Sequence, residues 1–491
     1  MLSIDRNEPS TQTGIEYDRV STFVGAVAKL SKSPTAQLLY YGYAPSDNPS
    51  NLRVLAVMGR PASSEIEWNY ADLPRVQSQY PSLAQHWPAV IWPEREMWER
   101  TGVLPAGHPD LRPILNPYAS QIRGVAHGDG VFHLPLGPVR GDVAESAFFL
   151  FDTIGEQIMH MQPQLFYKHR DIEQLAIGLP IQDALLLAER VSGTSTIAHA
   201  TAFSRAVEQA LGADINLEAE LERTIFSELE RLYNHAHDFS QIAGATGMTV
   251  AQAQFARVKE ELLRLNADVT GSRYLRNAIQ PTSRSLINWT VMKESVIRCL
   301  EITDDRVQRF VHQLLKTPTF IDRLQPTGIV TEEWARAYNT VGPVARACGL
   351  QVDTRKDYLP WYQDVDYNIA TLDTPTGDAL SRFLIRVKEW GISQAVIRRC
   401  LKEIGVLAPL ESTYSRAPLP KIGIGLSESP RGRVVHLVQL DSQDHISFWS
   451  IRSASAWNWP VLGLATANGN IQTDFPIIES SFGLSCAGID R

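Results

Sequence analysis

Ala188-Glu189-Arg190-Val191-Ser192-Gly193-Thr194-Ser195-Thr196-Ile197-Ala198-His199 has the spacing of a metal-binding loop without the atoms that bind a metal. Ser192 and Ser195 stand where a C-x-x-C pair would stand, and hydroxyls do not replace thiolates as ligands to soft transition metals. The rest of the chain supplies no thiol pair either. Its four cysteines, Cys299, Cys348, Cys400 and Cys486, are scattered without any C-x-x-C, which reads as unpaired buried thiols and no iron-sulfur cluster of its own.

At 491 residues, 44% hydrophobic and 20% charged, the chain is expected to form two or three soluble domains. The longest apolar runs, such as Ala147-Phe148-Phe149-Leu150-Phe151, fall far short of the roughly 20 residues a spanning helix needs. The start, from Met1 to Pro9, lacks an apolar signal region, so a cytoplasmic location is expected. A net charge of -8 argues against nucleic acid as a partner. Neither a Walker loop nor a G-x-G-x-x-G after a strand occurs, so NAD(H) would be bound only by another subunit.

The opening stretch resembles the E-R-I-C-G-I-C-S-x-x-H segment of nickel-iron hydrogenase large subunits, agreeing at Glu189, Arg190, Gly193 and His199. The matching C-terminal signature, D-P-C-x-x-C-x-D-R, falls on Gly483-Leu484-Ser485-Cys486-Ala487-Gly488-Ile489-Asp490-Arg491. By this resemblance the former ligand positions are Ser192, Ser195, Ser485 and Gly488, with Cys486 one residue out of register, so no metal is expected. With Arg491 last, the tail that a hydrogenase maturation protease would remove is not expected either.

Upstream, Glu94-Arg95-Glu96 followed by Gly107-His108-Pro109-Asp110-Leu111-Arg112 resembles the 30-kDa subunit of respiratory complex I. Aliphatic and aromatic runs at Gln37 to Tyr43 and Leu52 to Met58 suggest paired strands in the same region. Phe132 to Asp142, continuing to Gly155-Glu156-Gln157-Ile158, reads as a strand-turn-strand element and resembles the first β-hairpin of the 49-kDa family. In that family the hairpin histidines line a quinone pocket, but here Arg140 and Ala144 hold their positions. The quinone-facing tyrosine would fall near Gly193 and is also missing.

Leu217, Leu221, Ile225, Leu229 and Leu232 form an apolar stripe at helical spacing, with Glu228, Arg231 and His235 sharing a second face. That face is either solvated or an internal ion-pair line, and the wording E-L-x-R-x-x-x-H common to both families favours the latter. A capping box at Thr249 and Gln252 should start a helix ending at Gly271, and another is placed around Ser295 to Leu315. Val341 to Gly349, then Asp353, Arg355, Tyr358, Pro360 and Tyr362, make the longest contiguous family match. Leu380, Phe383, Leu384 and Val387 should face inward on a helix whose Arg382, Arg386 and Glu389 read as surface or bundle ion pairs. Glu428-Ser429-Pro430-Arg431-Gly432 resembles the E-x-P-R-G loop of both families, with β-like segments after it.

The resemblance implies an α+β fold: a 30-kDa-like domain at 15–115, a linker at 116–129, and a 49-kDa/hydrogenase large subunit-like domain at 130–491. The second is expected to be a helical bundle with a β-hairpin before it and a short β region near the C-terminus. Candidate cavity residues are Arg140, Asp142, Glu145, His169, Arg190, His199, Asp353, Arg355, Glu428, Arg431 and Asp490. The implied partners are a small iron-sulfur subunit, whose cluster lies beside the cavity, and membrane pump subunits that hold the chain on the cytoplasmic face. A quinone or another small oxidant is the implied acceptor. The alternative is a redox-inactive scaffold coupling a partner oxidoreductase to the pump, and a nickel enzyme with oxygen ligands is a third reading.

Overall fold

The computed structural model describes residues 12–33, 35–76, 78–118, 122–141, 145–281, 287–364, 367–404 and 421–491. Asp142 and Ala144 lie outside them. Contacts divide the chain into two units, one comprising residues up to Ser120 with Ala337–Asn339 and Lys356–Tyr358, the other the remainder.

In the first unit, β-branched and aromatic runs build a four-stranded sheet in the order Gln12–Glu16, Glu65–Pro74, Asn51–Arg60, Gln37–Pro45. The first pair is parallel and the others antiparallel. The two strands read from the sequence are therefore neighbours. The E-R-E segment lies on the helix Ile91–Thr101 and is buried rather than solvated. Glu94 is its anchor, accepting from Tyr41 Oη (3.1 Å), the Ser82 hydroxyl and the backbone N–H of Leu83 (2.9 Å).

In the second unit the expected hairpin is a three-stranded antiparallel sheet, Val131–Leu136, Phe148–Ile154 and Gln157–Gln164. The additional strand arises because the alternation after Ala147 continues past the Gly155 turn. Helix Leu217–Ala245 starts where Asn216 accepts from the Ala219 N–H (2.8 Å), and it buries Leu221, Ile225, Leu229 and Leu232. Helix Thr249–Thr270 ends at left-handed Gly271 as expected, but Thr249 lies inside it and no side chain caps it at Met248. The following helix begins earlier than the pattern suggested, at Trp289, and ends at Leu315.

Helix Ala379–Glu403 corrects the sequence reading most. Arg382, Arg386 and Glu389 are fully buried along with Phe383, whereas Leu380, Leu384 and Val387 are only partly covered. The helix turns its charged face toward helix Leu217–Ala245, because that neighbour presents complementary charges at the same level.

The C-terminal sheet is Lys421–Ser429, Gly432–Leu440 and Ile446–Arg452, antiparallel throughout, and its first strand was not read from the sequence. It lies directly against helix Thr196–Leu211. A Cβ at Gly425 would sit 1.8 Å from the Ala202 carbonyl oxygen, and one at Gly423 2.1 Å from that of Ala206. Glycine on the strand and alanine on the helix thus allow backbone-to-backbone approach, with glycines at 423 and 425 interrupting the apolar run that marks a strand.

Candidate functional site

The two ends of the emptied motif meet. Ser192 Oγ and Ser485 Oγ are 3.2 Å apart although 293 residues separate them. The Gly488 N–H donates to Ser485 Oγ (3.1 Å), and Ser195 closes the turn by donating its N–H to the Ser192 carbonyl (3.0 Å). The former ligand positions are therefore gathered, but they satisfy one another by hydrogen bonding. Gly488 brings no side chain. The nearest thiol, Cys486, is buried with its pKa pushed well up by burial and by Glu145 and Asp490. This donor set does not fit a nickel-iron centre, which needs thiolates.

The turn is held from helix Leu217–Ala245. Glu230 accepts from the N–H groups of Ile197 (2.7 Å) and Ala198 (3.1 Å) at the start of helix Thr196–Leu211, while Asn234 donates to the Thr194 carbonyl (2.7 Å). The C-terminal segment is held by Glu145, which accepts from Ser485 Oγ (3.3 Å) and the N–H groups of Cys486 and Ala487. Asp490 accepts from the N–H groups of Phe166 (2.8 Å) and Lys168 (3.1 Å), and His169 Nδ1 bonds its carbonyl. Burial pushes the Asp490 carboxyl upward in pKa. Arg140 pairs with Glu479 (2.6 Å) and donates to the Glu145 carbonyl (3.0 Å).

Arg190 is placed differently. Its side chain is 43% exposed and donates to the Leu186 carbonyl, so its backbone carbonyl, not its guanidinium, engages Arg170 (2.7 Å).

Asp353, Arg355, Glu428 and Arg431 belong to a buried chain of alternating charges, whereas His199 lies apart from it, its Nδ1 2.9 Å from His436 Nε2. Glu428 and Asp353 both bond Arg346 (3.1 and 3.3 Å), and Arg346 continues to Glu389. Glu389 accepts from His235 Nε2 (2.7 Å), whose Nδ1 lies 3.7 Å from Asp238. Asp238 in turn holds Arg386 (2.9 Å) and Arg431 (2.7 and 2.8 Å). A branch runs through Arg355, which joins Asp353 to Glu228, and Glu228 also bonds Arg231 (3.1 Å). Carboxylates and guanidiniums balance one to one among Glu228, Asp238, Asp353, Glu389, Glu428 and Arg231, Arg346, Arg355, Arg386, Arg431.

That pairing sets where a proton can reside. Guanidiniums hold Glu228 and Asp353 down to about 2 against the cost of burial. Glu428 moves the other way: burial and the neighbouring Asp353 charge raise its pKa. Glu428 is the carboxyl of this group that accepts a proton most readily. The chain reaches the C-terminal segment of the emptied site at Gly483, where an added Cβ would lie 3.3 Å from both Asp238 Oδ1 and Arg386 Nη2.

Of this chain the sequence picked out Asp353, Arg355, Glu428 and Arg431, together with the Glu228-Arg231-His235 face. It missed Asp238 and Arg346 and read Arg386 and Glu389 as surface or bundle ion pairs, of which the structure has the second. Arg346 sits within the Val341 to Gly349 match, so a signal for it existed. Asp238 lies three residues beyond His235 on the same helix, and only the arrival of Arg431 marks it.

Three family descriptions match in order: Respiratory-chain NADH dehydrogenase, 30 Kd subunit, over residues 44–126, Nickel-dependent hydrogenase over 170–268, and Respiratory-chain NADH dehydrogenase, 49 Kd subunit, over 244–421. One polypeptide thus carries, in order, regions similar to the 30-kDa subunit of complex I, the nickel-iron hydrogenase large subunit and the 49-kDa subunit of complex I. Formate hydrogenlyase subunit 5 of Escherichia coli is 29% identical over 452 residues, covering 84% of this chain and 77% of the relative. A fused C/D-type NADH-quinone oxidoreductase chain of Aquifex aeolicus is 24% identical over 400 residues, covering 70% of this chain and 67% of the relative. A chain in the structure of an archaeal respiratory membrane complex, the membrane-bound sulfane sulfur reductase, superposes with a TM-score of 0.66 at 23% identity, covering 74% of this chain and 99% of that one. That likeness is one of fold. Among the described residues no helix is long and apolar enough to cross a membrane.

Proposed function

We propose that this chain is the core subunit of a membrane-associated, ion-translocating oxidoreductase, in which its emptied site receives an electron acceptor beside an iron-sulfur cluster carried by a small partner subunit. The observation carrying this reading is the meeting of Ser192 and Ser485 at 3.2 Å, next to the charge chain that begins at Asp238 and Arg431. A site that had merely decayed would have no need of a buried, fully balanced ionic line leading away from it, since apolar packing of the same volume is as stable or more so. Glu428 takes up a proton when the acceptor is reduced, and the guanidiniums on either side keep the remaining carboxylates charged. Arg140, Glu145, His169 and Asp490 shape the other wall, and membrane pump subunits hold the complex at the cytoplasmic face.

The test is made on the purified complex. Cluster reduction and reoxidation are followed with and without a short-chain quinone, in wild type and in an Arg431→Ala variant that assembles normally. Acceptor-dependent reoxidation that falls at least tenfold in the variant supports the reading. Full turnover in the variant removes Arg431 from the site, and a wild-type complex that reoxidises no faster with any acceptor favours the scaffold alternative.

A further inference from the structure

His199 is one end of a hydrogen-bonded row whose direction is chemically forced. Trp449, on strand Ile446–Arg452, donates its indole Nε1–H to His436 Nδ1 at 3.1 Å. Indole N–H is a donor only, so His436 Nδ1 carries a lone pair and the His436 proton sits on Nε2. His436 Nε2 lies 2.9 Å from His199 Nδ1, and therefore donates to it. His199 Nδ1 is then an acceptor, and its own proton sits on Nε2. All three rings are buried, and Phe203 packs edge-on against both His436 and Trp449.

The row ends in an unsatisfied donor. Among the described residues nothing accepts from His199 Nε2, in a residue that is 1% exposed. With no acceptor among the described residues, that N–H is open to one that a ligand supplies. The residue follows directly from the emptied turn, its backbone N–H bonding the Ser195 carbonyl at 3.1 Å. The charges acting on its ring are the guanidiniums of Arg170 and Arg491. Arg170 itself spans both halves of the site, donating to the carbonyls of Val191 (2.8 Å) and Ala487 (3.2 Å). Burial first, and the two guanidiniums after it, favour the ring as neutral imidazole over imidazolium, and with cations beside it the surroundings suit an electron-rich ligand better than a cation.

We infer that Trp449 and His436 are positioning residues that hold His199 as a neutral imidazole with Nε2–H as its free end, the donor to the oxygen of a quinone-type carbonyl acceptor. This rests on the reading of the site given above and adds the group that would replace the missing family tyrosine and histidines as hydrogen-bond donor.

Two measurements test it. In the full-length chain with 15N-labelled histidine rings, His199 and His436 are assigned by His199→Gln and His436→Gln. Both are expected as the Nε2–H tautomer, unchanged from pH 5 to 8, and Trp449→Phe is expected to release His436 into a mixture of tautomers. Finding His199 as Nδ1–H or as imidazolium at neutral pH overturns the inference. In the purified complex, with ubiquinone-1 as the probe, Trp449→Phe is expected to raise KM about tenfold while kcat changes less than about threefold, the loss of one well-oriented hydrogen bond. Should Trp449→Phe perturb folding, His436→Gln, which removes the same relay from a different strand, replaces it. An unchanged KM in a variant whose tautomers have shifted overturns the donor role. If wild type reduces no ubiquinone-1, the acceptor reading itself fails together with the ligand half of this inference, and the NMR result then decides the tautomer alone.

Discussion

Asp238 shows what a single buried charge does here. It is the only carboxylate within bonding distance of Arg431 and Arg386 among the described residues, and both guanidiniums are buried with it. Asp238→Asn leaves two buried cations facing a neutral amide, and a loss of about 3–5 kcal/mol in unfolding free energy is expected from denaturant titration. Arg431→Ala should cost less, because Asp238 keeps Arg386. Glu428→Gln is the complementary change. It sets an amide NH2 against a donor, since Glu428 accepts from Arg346 and from the N–H and hydroxyl of Thr354, so a stability loss of about 1–3 kcal/mol is expected together with loss of the proton uptake coupled to acceptor reduction in the complex. Proton uptake that survives Glu428→Gln would move the proton-accepting role to another group. Ser485 has a modest structural part: Ser485→Ala leaves the Gly488 N–H without its acceptor, for about 1–2 kcal/mol.

Between elements, the decisive contacts are those where one backbone meets another. The glycines of strand Lys421–Ser429 press onto helix Thr196–Leu211, so Gly425→Ala drives a methyl group into the Ala202 carbonyl. No side-chain rearrangement relieves a clash with backbone, and the variant is expected to lose several kcal/mol or to fail to accumulate as soluble protein, checked by expression and thermal unfolding. A second meeting positions Arg431 itself. Gly342 and Gly432 both have positive φ, 65° and 123°, and an added Cβ on Gly342 would lie 2.1 Å from the Arg431 carbonyl oxygen. Gly432→Ala should therefore displace Arg431 from Asp238 and reduce turnover as Arg431→Ala does, although the charge remains. Strand Gly432–Leu440 and helix Thr196–Leu211 bring His436 and His199 together, so packing at the neighbouring glycines also fixes the imidazole row.

For the whole molecule, buried ionisable groups make stability depend on pH with a definite sign. His199 is held down to about 3 by burial, below its ordinary value near 6.5, so its contribution is present at neutral pH and is lost as pH falls from about 6.5 toward 3. Glu228 and Asp353, held down to about 2, lose theirs as pH falls from about 4 toward 2. Glu230 acts in the opposite sense, since burial pushes it up to about 8 and folding opposes its ionisation between about 4.5 and 8. Below about 4.5 it is protonated in both states and contributes no slope. His237 and His436, also held down by burial, act in the same sense as His199, so thermal unfolding of the full-length chain should show Tm falling on acidification below about 6.5 and most steeply below about 4.5, where the histidine and carboxylate terms act together. A Tm that rises on acidification through that range would contradict the buried charge assignment.

The α+β superfamily fold, the hydroxyls in place of thiols, and the Glu428-to-Gly432 loop were all legible in the chain as written, because local spacing and residue type carry those features directly. Which charged faces turn inward was not decided: Arg386 and Glu389 read as surface or bundle ion pairs until helix Leu217–Ala245 supplies Asp238 and His235 opposite them. The meeting of Ser192 and Ser485 followed from the resemblance, whereas no linear reading could bring Trp449 to His436, since no periodicity links them. Those pairings came from the folded arrangement for one physical reason: a buried charge or polar hydrogen is stable only beside its partner, and the partner is chosen by packing in three dimensions.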